Sequence, residues 1–155
     1  MDLVAARERL SQVPDPEIPA VTLMDLGIVR DLRATDAGLE VVLTPTYSGC
    51  PATELIADDV RAALAGFGAV TITLQRVPAW STDWISAAGR VKLQHYGIVP
   101  PQCRAEQSIR VVPRLRCPRC DSGATQQLSR FGSTACKSTW RCIDCGEPFE
   151  YFKPF

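Results

Sequence analysis

The sequence has no long apolar run and almost no histidine. No apolar stretch approaches the roughly 20 residues that a membrane-spanning helix needs. Residues 1–8 lack the basic start and the long apolar segment of a secretory signal peptide. We therefore expect a cytoplasmic protein with no membrane partner. In that compartment the seven cysteines indicate metal or thiol chemistry rather than a disulfide framework.

The sequence also lacks the usual signatures of an enzyme. It contains no phosphate-binding loop, no dinucleotide fingerprint and no obvious pairing of a nucleophile with a base. Its one histidine, His95, lies near a predicted helix end, where a structural role is the more common one. These absences predict a protein that is not itself an enzyme, and they leave a thiol-dependent activity as the one catalytic alternative.

The formal net charge is zero, but the charges are unevenly divided. Residues 1–103 contain 8 Lys and Arg against 12 Asp and Glu, whereas residues 104–155 contain 9 against 5. A basic C-terminal part suits an acidic partner surface or a nucleic acid. Its charges are scattered, which favours an ordinary solvated surface. The interleaved aromatic and basic platform of single-strand binders is missing, so we do not expect a nucleic acid partner.

The order of apolar patterns predicts an α/β (α+β) protein with the element order α-β-β-α-β-α, a small sheet and helices packed on it. The predicted helices and strands are a helix to about Gln12, strands at Ile28–Ala34 and Leu39–Thr44, a helix at Pro51–Phe67, a strand at Val70–Gln75 and a helix to about Tyr96. We expect this domain to span residues 1–99. A Pro-rich, polar linker should follow at residues 100–109, and a small second domain at residues 110–155.

A cysteine lies where the second predicted strand passes into the second helix, in Leu43-Thr-Pro-Thr-Tyr-Ser-Gly-Cys50-Pro51. Pro51 suits the first position of a helix, and Gly49 permits a sharp turn before it. Cys50 would then lie beside the helix N-terminus, where the helix dipole favours a thiolate over a thiol. The pattern predicts a reactive or metal-binding sulfur. A small buried hydrophobic side chain is the equally weighted alternative.

Two further features are candidates for supporting this cysteine. Asp15 and Glu17 lie in a proline-rich loop, where their carboxylates suit a metal or a partner but are more often ordinary turn residues. Trp80 follows the next strand, so it is a candidate cover for Cys50, although core packing is the more common fate of a tryptophan.

The C-terminal part contains two Cys-x-x-Cys pairs, Cys117 with Cys120 and Cys142 with Cys145, separated by 21 residues. Each pair can direct two thiolates at one ion, and the two pairs complete a tetrahedral site. A stretch with so little apolar core needs such a metal to fold. The spacing therefore predicts a structural zinc ribbon, with iron in a rubredoxin-like site as the main alternative.

Two other cysteines remain in this half of the chain. Cys136 lies between the pairs, beside Lys137, whose positive charge would lower the pKa of a neighbouring thiol. We count Cys136 as a second candidate for a reactive or iron-binding sulfur. Cys103 lies in the predicted linker and has no evident role.

Several motifs together resemble a known family. In the first domain these motifs are Asp15-Pro-Glu-Ile-Pro19, Asp25-Leu-Gly-Ile-Val29, Thr44-Pro-Thr-Tyr-Ser-Gly-Cys-Pro51, Val77-Pro-Ala-Trp80 and Trp84-Ile-Ser86. In the tail they are Phe131-Gly-Ser-Thr-Ala-Cys-Lys137 and Glu147-Pro-Phe-Glu-Tyr-Phe-Lys153. On these motifs the first domain resembles the MIP-type iron–sulfur assembly domain, and the tail is similar to that of one branch only, the phenylacetate-degradation protein D (PaaD) family.

The resemblance implies an accessory role in the multicomponent phenylacetyl-CoA epoxidase of aerobic phenylacetate catabolism. Such a protein would assist iron or Fe–S assembly in the di-iron oxygenase subunit or in the flavin and 2Fe–2S reductase subunit. It assigns the motif cysteine to Cys50 and the acidic loop to Asp15 and Glu17, and it places Thr46 and Ser48 in the same motif. A docking protein without metal chemistry is the alternative.

A cluster normally takes four thiolates. Cys50 would therefore need Cys136, a partner's ligand or the Cys50 of a second copy, so a homodimer is possible on this reading.

Overall fold

The computed structural model describes residues 2–47, 49–102 and 113–154. The chain divides into two compact units, Met1–Gly89 and Arg90–Phe155. The elements of the first unit are α1 (Leu3–Leu10), β1 (Val29–Thr35), β2 (Gly38–Leu43), α2 (Thr53–Ala63) and β3 (Ala69–Leu74). Helix α3 (Ala87–His95) crosses the division, and β4 (Ile98–Val99), β5 (Thr125–Ser129), β6 (Lys137–Cys142) and β7 (Pro148–Phe152) follow. The predicted order α-β-β-α-β-α is confirmed for the first six elements.

Helix α1 begins as its sequence predicts. The Asp2 carboxylate accepts hydrogen bonds from the N–H groups of Val4 at 3.0 Å and Ala5 at 3.1 Å, so two of the helix's unpaired donors are satisfied. Ala6 and Leu10 are buried. The proline-rich segment that follows α1 forms the acidic loop of the site described below.

The first sheet has the strand order β1-β2-β3. Strands β1 and β2 form an antiparallel hairpin, whereas β2 and β3 are parallel and are connected through α2. At Gly38 the backbone has φ +145°, and a Cβ there would collide with the Ala69 carbonyl of β3, so only glycine fits. Strand β2 is the central strand, and five of its six residues are buried. The core therefore lies around β2, directly before the Cys50 loop.

Helix α2 differs from the sequence-based expectation at both ends. Helix α2 was expected at Pro51–Phe67 but extends only over Thr53–Ala63, because Pro51 lies in the preceding turn and a 3-10 turn at Ala65–Phe67 ends the helix. Leu74 lines the groove beside α2, yet 42% of its surface is exposed. The reason is that β3 is the last strand in the order of the sheet.

The second sheet has the order β4-β7-β6-β5. A buried cluster of Leu115, Trp140, Phe149 and Tyr151 packs on it, with the Trp140 and Tyr151 rings edge to face at 6.5 Å. Strand β4, which we did not predict, pairs in parallel with β7 through Ile98 and Val99. The predicted linker from residue 103 onward, and Cys103 with it, lies outside the described residues.

None of the helices in the described part of the chain combines the length and the apolar character needed to cross a membrane.

Candidate metal centre and the Cys50 loop

The four cysteines of the two Cys-x-x-Cys pairs meet at one point. Their sulfur atoms all lie within 4.8 Å of one another, with Cys117 Sγ 3.7 Å from Cys145 Sγ and Cys120 Sγ 3.6 Å from Cys142 Sγ. A tetrahedral zinc site with Zn–S bonds of about 2.3 Å separates its sulfurs by about 3.8 Å. The spacing of the thiols therefore fits one tetrahedral four-thiolate ion.

The two pairs are held by the same backbone pattern. The N–H of Cys117 donates to the Ser122 carbonyl at 2.8 Å, and the N–H of Cys142 donates to the Glu147 carbonyl at 2.9 Å. The residue after the second cysteine of each pair has a positive φ, 59° at Asp121 and 77° at Gly146. Each pair thus forms a tight left-handed turn that directs two sulfurs to the same side.

Backbone N–H groups point at these sulfurs. The N–H of Arg119 donates to Cys117 Sγ at 3.4 Å. The backbone N–H of Cys145 is the main cause of a lowered pKa, about 7, at the Cys142 thiol. Such donors stabilise thiolates, which are the metal-binding form. Cys117 and Cys142 are buried, whereas Cys120 and Cys145 are exposed. Because four protein sulfurs complete a tetrahedron, the arrangement suits a structural ion and leaves no ligand position for a substrate.

Cys50 lies in the turn between β2 and α2. Its N–H donates to the Tyr47 carbonyl at 3.3 Å, and its own carbonyl accepts from the Thr53 N–H at 3.2 Å and the Thr53 hydroxyl at 2.8 Å. The side chain is half-buried. The helix N-cap is Ala52, so Cys50 lies two residues before it. Thr53, which the sequence analysis did not single out, fixes the backbone of this cysteine.

The expectation that Cys50 favours the thiolate is wrong. Burial raises the pKa of the Cys50 thiol above its ordinary value, and the Ala52 N–H and the Thr53 hydroxyl only partly offset that effect. The carboxylates of Glu17 and Asp15 raise it further. Sequence reasoning placed Cys50 nearer to the helix dipole than it is, and it left out the two negative charges. The same observation shows that the fold brings the acidic loop into electrostatic range of Cys50.

The two acidic residues have different environments. Asp15 is only 5% exposed, and its carboxylate accepts from the N–H groups of Glu17 at 3.0 Å and Ile18 at 2.8 Å. It therefore holds the turn of the loop, as the more common interpretation predicts. Glu17 is half-buried, and of the two carboxylates it has the larger effect on the charge of Cys50.

The other candidates near Cys50 are placed as follows. Trp80 is 4% exposed and donates from Nε1 to the Leu26 carbonyl at 2.9 Å, which ties it into the core. Thr46 lies half-buried in the Cys50 loop. Ser48 lies outside the described residues. The structure thus assigns Trp80 a packing role, and its predicted role as a cover for Cys50 stays a prediction.

The arguments for a reactive Cys136 are contradicted by its surroundings. The residue is 3% exposed, and its sulfur lies 3.0 Å from the Thr134 hydroxyl. The ammonium group of Lys137, which we expected to activate it, forms an ion pair with Glu150 at 2.9 Å. A thiol without solvent access, beside a cation already paired elsewhere, lacks the environment of a reactive cysteine. Cys136 is also not one of the four clustered sulfurs.

Comparison with known proteins matches each part of the chain to a separate domain. Residues 4–74 match the iron–sulfur cluster assembly protein model, and residues 101–153 match the PaaD zinc beta ribbon domain. The chain is 50% identical over 149 residues to a subunit of the "Putative 1,2-phenylacetyl-CoA epoxidase" of Escherichia coli (strain K12), and the match covers 93% of this chain and 88% of that protein.

Relatives of the first unit alone point to the same domain. The Fe-S protein maturation auxiliary factor YitW of Bacillus subtilis (strain 168) is 35% identical over 88 residues, covering 54% of this chain and 85% of that protein. The crystal structure of a domain of unknown function (DUF59) from Bacillus anthracis superposes with a TM-score of 0.53 at 26% identity, over 57% of this chain and 88% of that one. With both domain models and a full-length relative matched, the chain belongs to the PaaD family.

Proposed function

We propose that this chain is a non-catalytic accessory protein of a phenylacetyl-CoA epoxidase that assists the assembly of an iron or Fe–S centre in another subunit. The observation that carries the proposal is the similarity over nearly the whole chain to an epoxidase subunit, together with the similarity of its first unit to Fe–S maturation factors. The similarity to the epoxidase subunit supports the epoxidase as the system served, and the similarity to maturation factors supports metal-centre assembly as the task.

In this proposal Cys50 is the sulfur that contacts the iron cargo. It lies half-buried at the end of the central strand, and Glu17 and Asp15 act on its charge. A thiol with a raised pKa binds metal only by losing its proton, so at neutral pH it holds iron weakly and releases it readily. A single thiolate also leaves the other ligand positions of the cargo to the acidic loop, to a second copy or to the receiving subunit.

The four-cysteine centre has a separate, structural role. We propose that Cys117, Cys120, Cys142 and Cys145 hold zinc, because their sulfur spacing fits four Zn–S bonds and the matched domain is a zinc ribbon. When bound, the ion would cross-link the two cysteine turns. Iron delivery would then depend on the first unit alone.

The test is co-production of the oxygenase and reductase subunits with wild-type protein or with Cys50→Ser. We expect the variant to lower the iron content of the client subunit, or its cluster absorption, severalfold while the variant stays folded. Glu54→Gln, which removes an exposed carboxylate from the first turn of α2, is the matched control and should behave as wild type. Full iron loading with Cys50→Ser would reject the proposal.

A docking role is the second candidate function. Unit Arg90–Phe155 contains 11 Lys and Arg against 5 Asp and Glu. Leu128 and Phe131 in this unit are 54% and 65% exposed. Exposed apolar side chains in a unit with an excess of positive charge suit a partner's acidic face. If docking is the whole function, Leu128→Ser with Phe131→Ser will abolish co-purification with the epoxidase, while Cys50→Ser will change neither binding nor iron content.

A further inference from the structure

The two edges of the first sheet are built differently. Strand β1 contains three charged residues, Arg30, Asp31 and Arg33, and has a bulge between Val29 and Asp31. Charges and bulges are the usual devices that keep an edge strand from pairing with another chain. Strand β3 has neither. Its six residues are uncharged, it contains no proline or glycine, and its register with β2 runs unbroken from Ala69 to Leu74.

The outer edge of β3 presents a regular row of backbone groups. The N–H of Gln75 donates to the Leu43 carbonyl at 2.8 Å. Because backbone groups in a parallel ladder alternate in direction along the strand, Val70, Ile72 and Leu74 direct their N–H and C=O groups away from β2. In the described part of the chain, β2 is the strand that pairs with β3, and no second strand follows it in the sheet.

The side chains of β3 are symmetric about Ile72. Thr71 and Thr73 flank it, and Val70 and Leu74 follow on either side. If a second copy of β3 lies antiparallel with Ile72 opposite the partner's Ile72, Val70 faces the partner's Leu74. In this register each residue with outward backbone groups meets another such residue, so each pair exchanges two hydrogen bonds.

In this register the side chains on both faces of the joined sheet meet compatible neighbours. On the α2 side the contacts are between aliphatic side chains. On the other side Thr71 faces the partner's Thr73, whose hydroxyl donates to Glu40 of its own chain at 2.7 Å and can accept from Thr71. Threonine pairs and aliphatic pairs are favourable across antiparallel strands. We propose that the β3 edge is the interface through which two copies of this chain form a symmetric dimer.

The groove beside β3 and the lack of charge on this strand favour a second copy of the chain as the partner. Ile72 and Leu74 line a groove of about 350 Å³ against α2, in which Asp58 and Arg61 already pair at 2.7 Å. The strand itself has no charge to select a basic or acidic foreign segment, whereas its symmetry about Ile72 matches a two-fold axis. Because dimer formation through β3 does not involve Cys50, it does not depend on any iron chemistry there.

The first experiment measures the mass of the full zinc-loaded chain by sedimentation between about 1 and 200 µM. We expect twice the 17.0 kDa of one chain at the upper concentrations. Thr71→Lys with Thr73→Lys places lysines opposite each other and should give the monomer. Ala34→Lys, at an exposed position of the charged β1 edge, is the control and should leave the dimer unchanged.

The second experiment tests the register. Opposed residues in non-hydrogen-bonded antiparallel pairs have Cα atoms about 4.5 Å apart, within the range for a disulfide. Oxidised glutathione, which accepts the two electrons, should therefore cross-link a mixture of the Thr71→Cys and Thr73→Cys variants, whereas either variant alone should stay at the background of the parent chain.

Three results would overturn the proposal. They are a monomer at all concentrations, a dimer that persists in the double lysine variant, and cross-linking of Thr71→Cys alone. If the wild-type chain is a monomer and the lysine variant loses an epoxidase subunit, the edge belongs to that subunit and not to a second copy.

Discussion

At Cys50 burial is the largest cause of the raised thiol pKa, and two neighbouring carboxylates add to it. The Glu17 carboxylate is one of the causes that raise the pKa of the Cys50 thiol. Glu17→Gln removes that charge, so the pKa should fall and a larger fraction of the thiol should be ionised at pH 8. We therefore expect faster alkylation of Cys50 by iodoacetamide in the variant, measured by mass spectrometry of the Cys50 peptide.

The pH dependence gives the same comparison a second readout. In wild-type protein the alkylation rate should still be rising above pH 9.0, the ordinary value for a cysteine, because the thiol ionises late. Glu54→Gln removes another carboxylate near the start of α2 and should leave the rate profile unchanged. An unchanged or slower rate in Glu17→Gln would mean that Glu17 does not act on the sulfur through its charge.

The Lys137–Glu150 ion pair is the most deeply buried one in the described part of the ribbon. Lys137 is 3% exposed, and Glu150 also accepts from the Ser133 N–H at 2.6 Å. Although burial raises the pKa of Glu150, the Ser133 N–H and the Lys137 ammonium lower it by more. The pair therefore connects β6, β7 and the turn before β6, and it explains why a lysine is found inside so small a sheet.

Breaking this pair from one side should destabilise the protein strongly. Lys137→Met leaves Glu150 charged and without its cation, and we expect a loss of about 2–3 kcal/mol in the free energy of unfolding. Lys137→Met with Glu150→Gln should recover most of that loss, because no uncompensated charge stays buried. Chemical denaturation of the zinc-loaded chain at pH 7 measures both, and equal losses in the single and double variants would contradict the assignment.

At the scale of the elements, each cysteine turn needs one residue with a positive φ in addition to its two cysteines. Gly146 has φ +77°, a conformation that costs an L-residue about 1–2 kcal/mol. We expect Gly146→Ala to lower the stability of the ribbon by that amount and to weaken its zinc affinity, measured by competition with a chromophoric chelator. Gly123→Ala is the matched control, because its Cβ meets nothing within 4 Å and its φ is not positive. Equal effects of the two would contradict the turn geometry.

The elements also show what sequence can and cannot predict. The clustering of the four cysteines follows from spacing, because each pair is local and one hairpin brings the pairs together. The central position of β2 follows from its apolar run. The shortened α2 does not, since Pro51 is compatible with both a helix start and a turn. The raised pKa of Cys50 needs the tertiary approach of Glu17 and Asp15, which no local pattern contains.

At the scale of the molecule, the charges separate between the two units. Unit Met1–Gly89 contains 6 Lys and Arg against 12 Asp and Glu, and the second unit has the opposite excess. The zero net charge of the chain is therefore the sum of two units with opposite net charges. Charge differences of this size steer association at low ionic strength, so any steering by the first unit would favour a basic partner and any by the second an acidic one.

The two units should also differ in what stabilises them. The first has a three-stranded sheet with buried aliphatic side chains from α1, β2 and α2. The second has a smaller set of buried apolar side chains, among them the cluster of Leu115, Trp140, Phe149 and Tyr151, beside the four-cysteine centre. A core that small needs a cross-link. We therefore expect unfolding in two steps, with a strong chelator abolishing the step of the second unit and sparing the first.

Circular dichroism separates the two steps, because α1 and α2 lie wholly in the first unit and give most of the far-ultraviolet helical signal, whereas α3 crosses the division. The buried Trp140 contributes to the near-ultraviolet signal of the ribbon. Cys145→Ser should reproduce the effect of the chelator and lower the zinc content from about one ion per chain to near zero. Cys145 is exposed, so the substitution removes a ligand without opening a core cavity. Cys50→Ser should keep both steps and the zinc. Helix loss in parallel with zinc loss would show instead that the metal stabilises the whole chain as one cooperative body.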